Sequence, residues 1–69
     1  MRVQAEISGT VCRLEADVGQ SVQEGDTVLI VESMKMEIPI AAPVGGTVRA
    51  FFVAEGDAVQ DDTVVVEIA

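Results

Sequence analysis

The chain contains two copies of one pattern, and this repetition constrains its fold more than any other feature. The segment SGTVCRLEADVGQSVQEGDTVLIV in the first half resembles GGTVRAFFVAEGDAVQDDTVVVE in the second. The matches are Gly9, Thr10 and Val11 with Gly46, Thr47 and Val48; Gly19, Val22 and Gln23 with Gly56, Val59 and Gln60; and, after a one-residue gap, Asp26, Thr27 and Val28 with Asp62, Thr63 and Val64. Two copies of so short a unit predict one closed domain, spanning residues 1–69, with approximate twofold symmetry.

The local pattern is that of short β-strands separated by turns. Runs rich in Val, Ile and Thr alternate with Gly- and Pro-containing segments, and no stretch keeps a helical periodicity. The predicted strands are Arg2–Ile7, Thr10–Ala16, Ser21–Val22, Thr27–Glu32, Glu37–Ala41, Thr47–Ala54, Ala58–Val59 and Thr63–Ile68. This spacing indicates an all-β sandwich or barrel. Pro39 cannot donate to a ladder, so its strand is expected at a sheet edge or with the missing N–H pointing outward.

Composition restricts the setting and the function. Cys12 is the only cysteine, so no internal disulfide can form, which favours a reducing, cytoplasmic location. No apolar run is long enough to span a membrane, and no signal peptide is recognisable. A formal charge of −8 with no histidine disfavours nucleic acid as a partner, and no metal site is predicted. Because Cys12 aligns with Arg49, we expect it to be a small filler rather than a reactive thiol.

The segment between the two copies contains ESMKME, residues Glu32–Glu37, and Lys35 within it is the only lysine of the chain. If the flanking strands pair, the chain reverses around Met34 and Lys35. Two-residue hairpin turns need positive φ and therefore favour Asn or Gly. Met and Lys in that conformation cost on the order of 1–3 kcal/mol of strain per residue. A residue type that departs from the conformational preference of its position indicates a functional site there.

We expect Lys35 to be a substrate rather than a catalyst. A lysine that acts as a nucleophile is normally buried, and this chain is too short for a deep cleft. No histidine, tyrosine or second cysteine is available as a base, so no catalytic residue is predicted. A primary amine on a rigid turn suits acylation by another enzyme. The ordinary alternatives are that Lys35, Met34 and Met36 are simply exposed side chains.

These residues resemble the attachment motif of biotinyl domains, Met-Lys-Met with a modified lysine. The segments SGTV, EGDTV, AAPVGGTV and AEGDAV resemble that family in the same order, so the resemblance covers nearly the whole chain. The chain is similar to the short, free-standing biotin/lipoyl attachment proteins. The resemblance implies a flattened, eight-stranded barrel-sandwich hybrid. In that fold two four-stranded antiparallel sheets are related by quasi-twofold symmetry, and the lysine lies on the hairpin that joins the halves.

The resemblance also implies a function. Lys35 would accept biotin, and Met34 and Met36 would be recognised by biotin protein ligase. The modified domain would be a non-catalytic carrier that shuttles a carboxyl group between biotin carboxylase and carboxyltransferase. Lipoyl domains typically have Asp before the lysine and Ala after it, which this chain lacks, so a lipoyl carrier is the second hypothesis. An unmodified small β interaction module is the third. No segment resembles the protruding thumb of some acetyl-CoA carboxylase carriers, which leaves the particular carboxylase open.

Overall fold

A computed structural model describes all of residues 1–69, and its regular elements are eight β-strands. They are β1 (Arg2–Gln4), β2 (Gly9–Leu14), β3 (Ser21–Val22), β4 (Thr27–Ser33), β5 (Met36–Ala41), β6 (Gly46–Phe51), β7 (Ala58–Val59) and β8 (Val64–Ile68). All eight predicted strands are present, and β3 and β7 have the predicted bounds. The chain contains no helix that could cross a membrane.

The strands form two four-stranded antiparallel sheets. One sheet has the order β1-β8-β6-β3 and the other the order β5-β4-β2-β7. Each strand of the first sheet has an equivalent in the second: β1 corresponds to β5, β8 to β4, β6 to β2 and β3 to β7. Exchanging the halves of the chain therefore converts one strand order into the other. The predicted fold class is therefore confirmed. Pro39 lies in β5, an edge strand, as predicted for a residue without a backbone donor.

Three strands end earlier than the sequence predicts. The ends lie at Gln4 instead of Ile7, at Leu14 instead of Ala16, and at Phe51 instead of Ala54. After β2 the amides of Glu15 and Ala16 both donate to the carbonyl oxygen of Val28, at 2.9 and 3.2 Å, and this shared acceptor ends the ladder. Ala16 is nevertheless buried, so the apolar pattern continues beyond the strand and makes it look longer. The other bounds differ from the predicted ones by at most one residue.

The two halves correspond at a constant spacing of 37 residues, the separation of Gly9 from Gly46. Their hydrogen bonds correspond as well. The amide of Gly19 donates to the carbonyl oxygen of Val48 at 2.8 Å, and the amide of Gly56 donates to that of Val11 at 2.8 Å. Each half thus closes its first turn on a strand of the other half, which makes the halves interdependent.

This spacing continues through the second turn of each half, where the sequence comparison introduced a gap. The amide of Gly25 donates to the carbonyl oxygen of Ala42, and the amide of Asp62 donates to that of Ala5, both at 2.9 Å. Gly25 and Asp62 also share a left-handed backbone, with φ of 93° and 77°. Gly25 therefore corresponds to Asp62, and the predicted match of Asp26 with Asp62 is wrong.

Two different side chains make the same hydrogen bond in these turns, which explains the misalignment. Oδ2 of Asp26 accepts from the amide of Gln23 at 2.9 Å, and Oγ1 of Thr63 accepts from the amide of Gln60 at 3.0 Å. A side-chain oxygen that accepts a nearby backbone N–H stabilises a turn whether it belongs to Asp or to Thr. The structural equivalence is consequently invisible to a comparison of residue types.

One apolar core lies between the sheets. Its buried residues are Val3, Ala5, Val11, Ala16, Val22, Val28, Leu29, Val31, Ala42, Val48, Val59, Val65, Val66 and Ile68, and none of them is polar. Within each sheet, neighbouring backbone segments approach closely at Gly9 and at Gly46. A Cβ at Gly9 would overlap the carbonyl oxygen of Glu32, and one at Gly46 would overlap that of Ala69. Both positions therefore require glycine, and they are equivalent in the two halves.

Candidate functional site

The β4–β5 hairpin carries the sequence-predicted site. The strands pair from Thr27 opposite Ala41 to Ser33 opposite Met36, which leaves Met34 and Lys35 as a two-residue turn. Their φ values are 54° and 65°, so both adopt the left-handed conformation that a type I′ turn requires. The predicted positive φ of Met34 and Lys35 is confirmed. Neither residue type favours this conformation, and the strain is held by the paired strands on both sides.

The turn exposes its side chains to solvent. Met34 is 93% exposed and Met36 64%, and Lys35 is also exposed. The ion pairs of the chain involve its three arginines, and none involves Lys35. β4 anchors the turn because Val28 and Val31 are fully buried. The structure therefore brings Met34, Lys35 and Met36 together on an exposed turn with a rigid base, and the Lys35 amine has no ion-pair partner.

Two acidic residues face each other just below the turn. Glu32 and Glu37 are directly opposite in the β4–β5 ladder, and both are exposed. Like charges at directly opposed positions destabilise a hairpin. Lys35 is the only cation in the hairpin, so acylation of its amine would leave this pair without a compensating charge and change the formal net charge from −8 to −9.

Cys12 lies on the outer face of the adjacent strand, beside this acidic pair. Cys12 follows the buried Val11 in β2, so the alternation of side chains along the strand places it on the outer face, at the point where the register against β4 shifts. Its Sγ lies 3.7 Å from Oε2 of Glu37. Desolvation and the neighbouring Glu37 carboxylate raise the pKa of Cys12, so the less reactive thiol form is favoured. The prediction of a small filler is wrong in that Cys12 is exposed, and the raised pKa agrees with the prediction that the thiol is not a reactive one.

A groove of about 750 Å³ lies between the edge strands β1 and β5. Its lining residues are Arg2, Val3, Gln4, Ala5, Glu6, Ile7, Ile38, Pro39, Ile40, Ala41, Pro43, Asp61 and Asp62. We call it the β1–β5 groove. Sequence reasoning missed it, and no local signal could have found it, because its two walls come from opposite halves of the chain. No cluster of His, Cys, Asp and Glu side chains suited to a metal ion occurs in the molecule.

Comparisons with known proteins agree with this geometry. A family model described as "Biotin-requiring enzyme" matches residues 3–68. The biotin/lipoyl attachment protein of Bacillus subtilis is 36% identical over 69 residues, which are 100% of this chain and 94% of that protein. The biotinylated protein TB7.3 homolog of Mycobacterium leprae is 41% identical over 84% of this chain and 82% of its own length. Pyruvate carboxylase of B. subtilis is 36% identical over 96% of this chain, which spans 6% of that enzyme.

Solved structures give the same result for the fold. Urea carboxylase of Kluyveromyces lactis superposes with a TM-score of 0.96 and 32% identity, covering 100% of this chain and 6% of that one. The lipoyl domain of the 2-oxoglutarate dehydrogenase complex from Azotobacter vinelandii superposes with a TM-score of 0.81 over 100% of this chain and 95% of its own. Its 19% identity supports the shared fold alone. The resemblance found in the sequence is confirmed.

Proposed function

This chain belongs to the biotin-requiring family of biotin/lipoyl attachment domains, and from that premise we propose that it is a biotin carrier modified on Lys35. The observation that carries the proposal is the position of the only lysine, on a strained two-residue turn between Met34 and Met36. Asn or Gly would adopt these positive φ values with less strain, so the fold alone does not explain Met and Lys at this turn. A fixed presentation of the amine to a modifying enzyme accounts for it.

The chain contributes position rather than catalysis to its own modification. An amide bond forms between Nζ of Lys35 and the activated carboxyl carbon of biotin, the activating group leaves, and the amine proton passes to the modifying enzyme or to water. The paired strands hold Lys35 in one direction, and Met34 and Met36 offer exposed apolar contacts on both sides of it. We propose biotin protein ligase as the modifying enzyme, with Met34 and Met36 as the residues it recognises.

The modified chain is proposed to serve a biotin-dependent carboxylase. The bound biotin supplies a ring nitrogen that takes up a carboxyl group, and residues 1–69 form a single domain that carries it between biotin carboxylase and carboxyltransferase. Tethering raises the local concentration of the carried group at each enzyme. Similarity to a pyruvate carboxylase and a urea carboxylase supports this role. The chain corresponds to only 6% of each of these enzymes. We propose that the acceptor substrate binds to the carboxyltransferase.

A lipoyl carrier is the second candidate, favoured by the superposition on a lipoyl domain. The two candidates differ in their modifying enzymes, so competition between biotin protein ligase and a lipoate-attaching enzyme decides between them. We expect biotin to be attached faster, because Met stands on both sides of Lys35. Equal or faster attachment of lipoate would reverse the assignment. The intact mass of the protein from its native cell separates both carriers from an unmodified interaction module.

The site is tested by co-expression with biotin protein ligase, followed by peptide mapping and avidin capture. We expect one biotin per chain on Lys35 and none on the Lys35→Arg variant. A control variant combines Lys35→Arg with Arg49→Lys, which restores an exposed lysine on β6 at unchanged net charge. This control should remain unmodified. Avidin capture of either variant would show that the hairpin does not select the lysine.

A further inference from the structure

We propose that the β1–β5 groove is a docking site for the biotinyl group carried by Lys35. The inference rests on the proposed function and adds to it a resting position for the arm on the domain itself. The geometry, the reach of the arm and the polar residues of the groove each support it independently.

The groove has the dimensions and lining of a small-molecule site. Its volume of about 750 Å³ falls within the range of about 300–1,000 Å³ typical of ligand pockets. Val3 and Ala5 are buried on the β1 side, and Ile38 and Ile40 are half-buried on the β5 side. The half-buried isoleucines leave apolar surface in contact with water. A small apolar ring system placed there would cover it.

The arm is long enough to reach the groove. β5 runs from the turn into the groove wall, and Ile38 lies three residues beyond Lys35 and Ile40 five. At about 3.3 Å per residue these separations are about 10 and 17 Å along the strand. A biotinyl-lysine arm has eleven rotatable or amide bonds from Cα to the ring, which give an extended length of about 14 Å. The length of the arm therefore matches the distance from Lys35 to the segment between Ile38 and Ile40.

The polar lining complements the polar edge of biotin. Glu6, Asp61 and Asp62 line the same groove and are exposed. None of their carboxylates takes part in an ion pair or a protein hydrogen bond. The ureido edge of biotin offers two N–H donors, and hydrogen bonds to an ionised carboxylate are among the stronger ones. The thioether ring on the opposite edge matches the isoleucines.

A tethered small molecule fits the groove better than a peptide strand. Peptides add to a sheet edge through a continuous row of backbone donors and acceptors. β5 lacks a donor at Pro39, in the middle of this edge, and β1 is only three residues long. Neither wall therefore offers a complete row, whereas side-chain contacts to a compact ring need none.

Nuclear magnetic resonance of three forms of the protein tests the proposal. The forms carry free Lys35, acetyl-lysine at position 35, or biotinyl-lysine at position 35. Acetylation removes the same charge as biotinylation but adds no arm, so it is the matched control. We expect resonances of Val3, Ala5, Ile38 and Ile40 to shift in the biotinyl form only, with nuclear Overhauser effects from the ring to Ile38. Differences between the two acylated forms confined to residues 33–37 would overturn the proposal.

A pair of variants tests the polar contact. Asp61→Asn removes a carboxylate from the groove, and Glu24→Gln removes the carboxylate at the equivalent position of the other half, outside the groove. We expect the arm-dependent shift at Ile38 to fall at least twofold in Asp61→Asn and to stay unchanged in Glu24→Gln. Equal effects of both variants would count against the contact. Shifts at Ile38 that depend on protein concentration in the unmodified form would assign the groove to a second copy of the chain instead.

The result is distinguishable from failure of the proposed function. If the ligase attaches no biotin, the carrier role fails, and chemical acylation of the only lysine still supplies the biotinyl form that tests the groove. If biotin is attached and the groove resonances do not move, the carrier role stands and the docking site is wrong.

Discussion

Asp62 occupies in the second half of the fold the position that Gly25 occupies in the first. Both have a left-handed backbone, and the amide of each donates at 2.9 Å to the carbonyl oxygen of an alanine just after an edge strand, Ala42 after β5 and Ala5 after β1. Glycine adopts this conformation without steric cost, whereas Asp is strained in it. We expect Asp62→Gly to raise the free energy of unfolding by about 1 kcal/mol and Gly25→Asp to lower it by a similar amount.

Urea unfolding of the two variants measures these changes. Asp62→Gly also removes a negative charge from an acidic protein, and Asp61→Asn removes one from the adjacent residue without a change of backbone preference. Equal stabilisation by Asp62→Gly and Asp61→Asn would attribute the gain to charge and contradict the backbone explanation.

The close contacts of Gly9 and Gly46 predict two equally severe substitutions. A Cβ at either position overlaps a backbone carbonyl oxygen, which cannot move without shifting a strand. We expect Gly9→Ala and Gly46→Ala each to destabilise the protein by about 2–3 kcal/mol. Gly45→Ala is the control, because the nearest atom to its Cβ would be the carbonyl oxygen of Val22 at 3.5 Å, an ordinary contact. Thermal unfolding of the three variants measures these changes. If Gly45→Ala destabilises the protein as much as the other two substitutions, the steric explanation is wrong.

The register of the turn predicts the effect of exchanging Lys35 and Met36. The double substitution Lys35→Met and Met36→Lys keeps composition and charge, but moves the amine from the turn to the residue opposite Ser33. A displacement of about 1 Å can cost about a hundredfold in rate when reacting atoms must be aligned. We expect a folded protein that biotin protein ligase modifies at least a hundredfold more slowly. Modification at the unaltered rate would mean that the ligase reads a flexible linear segment.

The contact between Cys12 and Glu37 predicts that the Cys12 thiol is alkylated slowly and that removing the Glu37 charge speeds the reaction. Glu37 is one of the groups that raise the pKa of Cys12, so at a given pH less of the reactive thiolate is present. Glu37→Gln removes that charge, lowers the pKa and should speed alkylation by iodoacetamide severalfold at pH 8. Glu24→Gln, which changes the same charge away from Cys12, should leave the rate unchanged. Alkylation quenched at successive times and analysed by mass spectrometry gives both rates. Similar rates in the two variants would show that the Glu37 contact does not slow the alkylation of Cys12.

Most of the fold could be predicted because its signals are local. Turns containing Gly, Pro or Asp separate short Val-rich strands, and the two copies of this pattern indicate the twofold arrangement. The strain at Met34 and Lys35 was visible as well, because a two-residue turn without Gly or Asn between pairing strands leaves no other backbone conformation.

The remaining features depend on contacts between distant residues. Asp26 and Thr63 make equivalent hydrogen bonds with different side chains, so residue types suggested a gap that the backbone does not have. The contact of Cys12 with Glu37 joins β2 to β5 across β4, and neither residue's local sequence indicates it. The β1–β5 groove needs both halves in place before it exists.

The pairing of β1 with β8 sets an order of events during synthesis. Arg2 pairs with Glu67, so within this domain β1 is synthesised long before its partner β8. The β4–β5 hairpin joins residues close in sequence and can close early, whereas β1 must wait through a large loop whose closure slows folding. A ligase that reads the rigid turn alone could act on the nascent chain. A ligase that requires the closed barrel would act only after Glu67 has been synthesised. Attachment of biotin would then depend on the completion of folding.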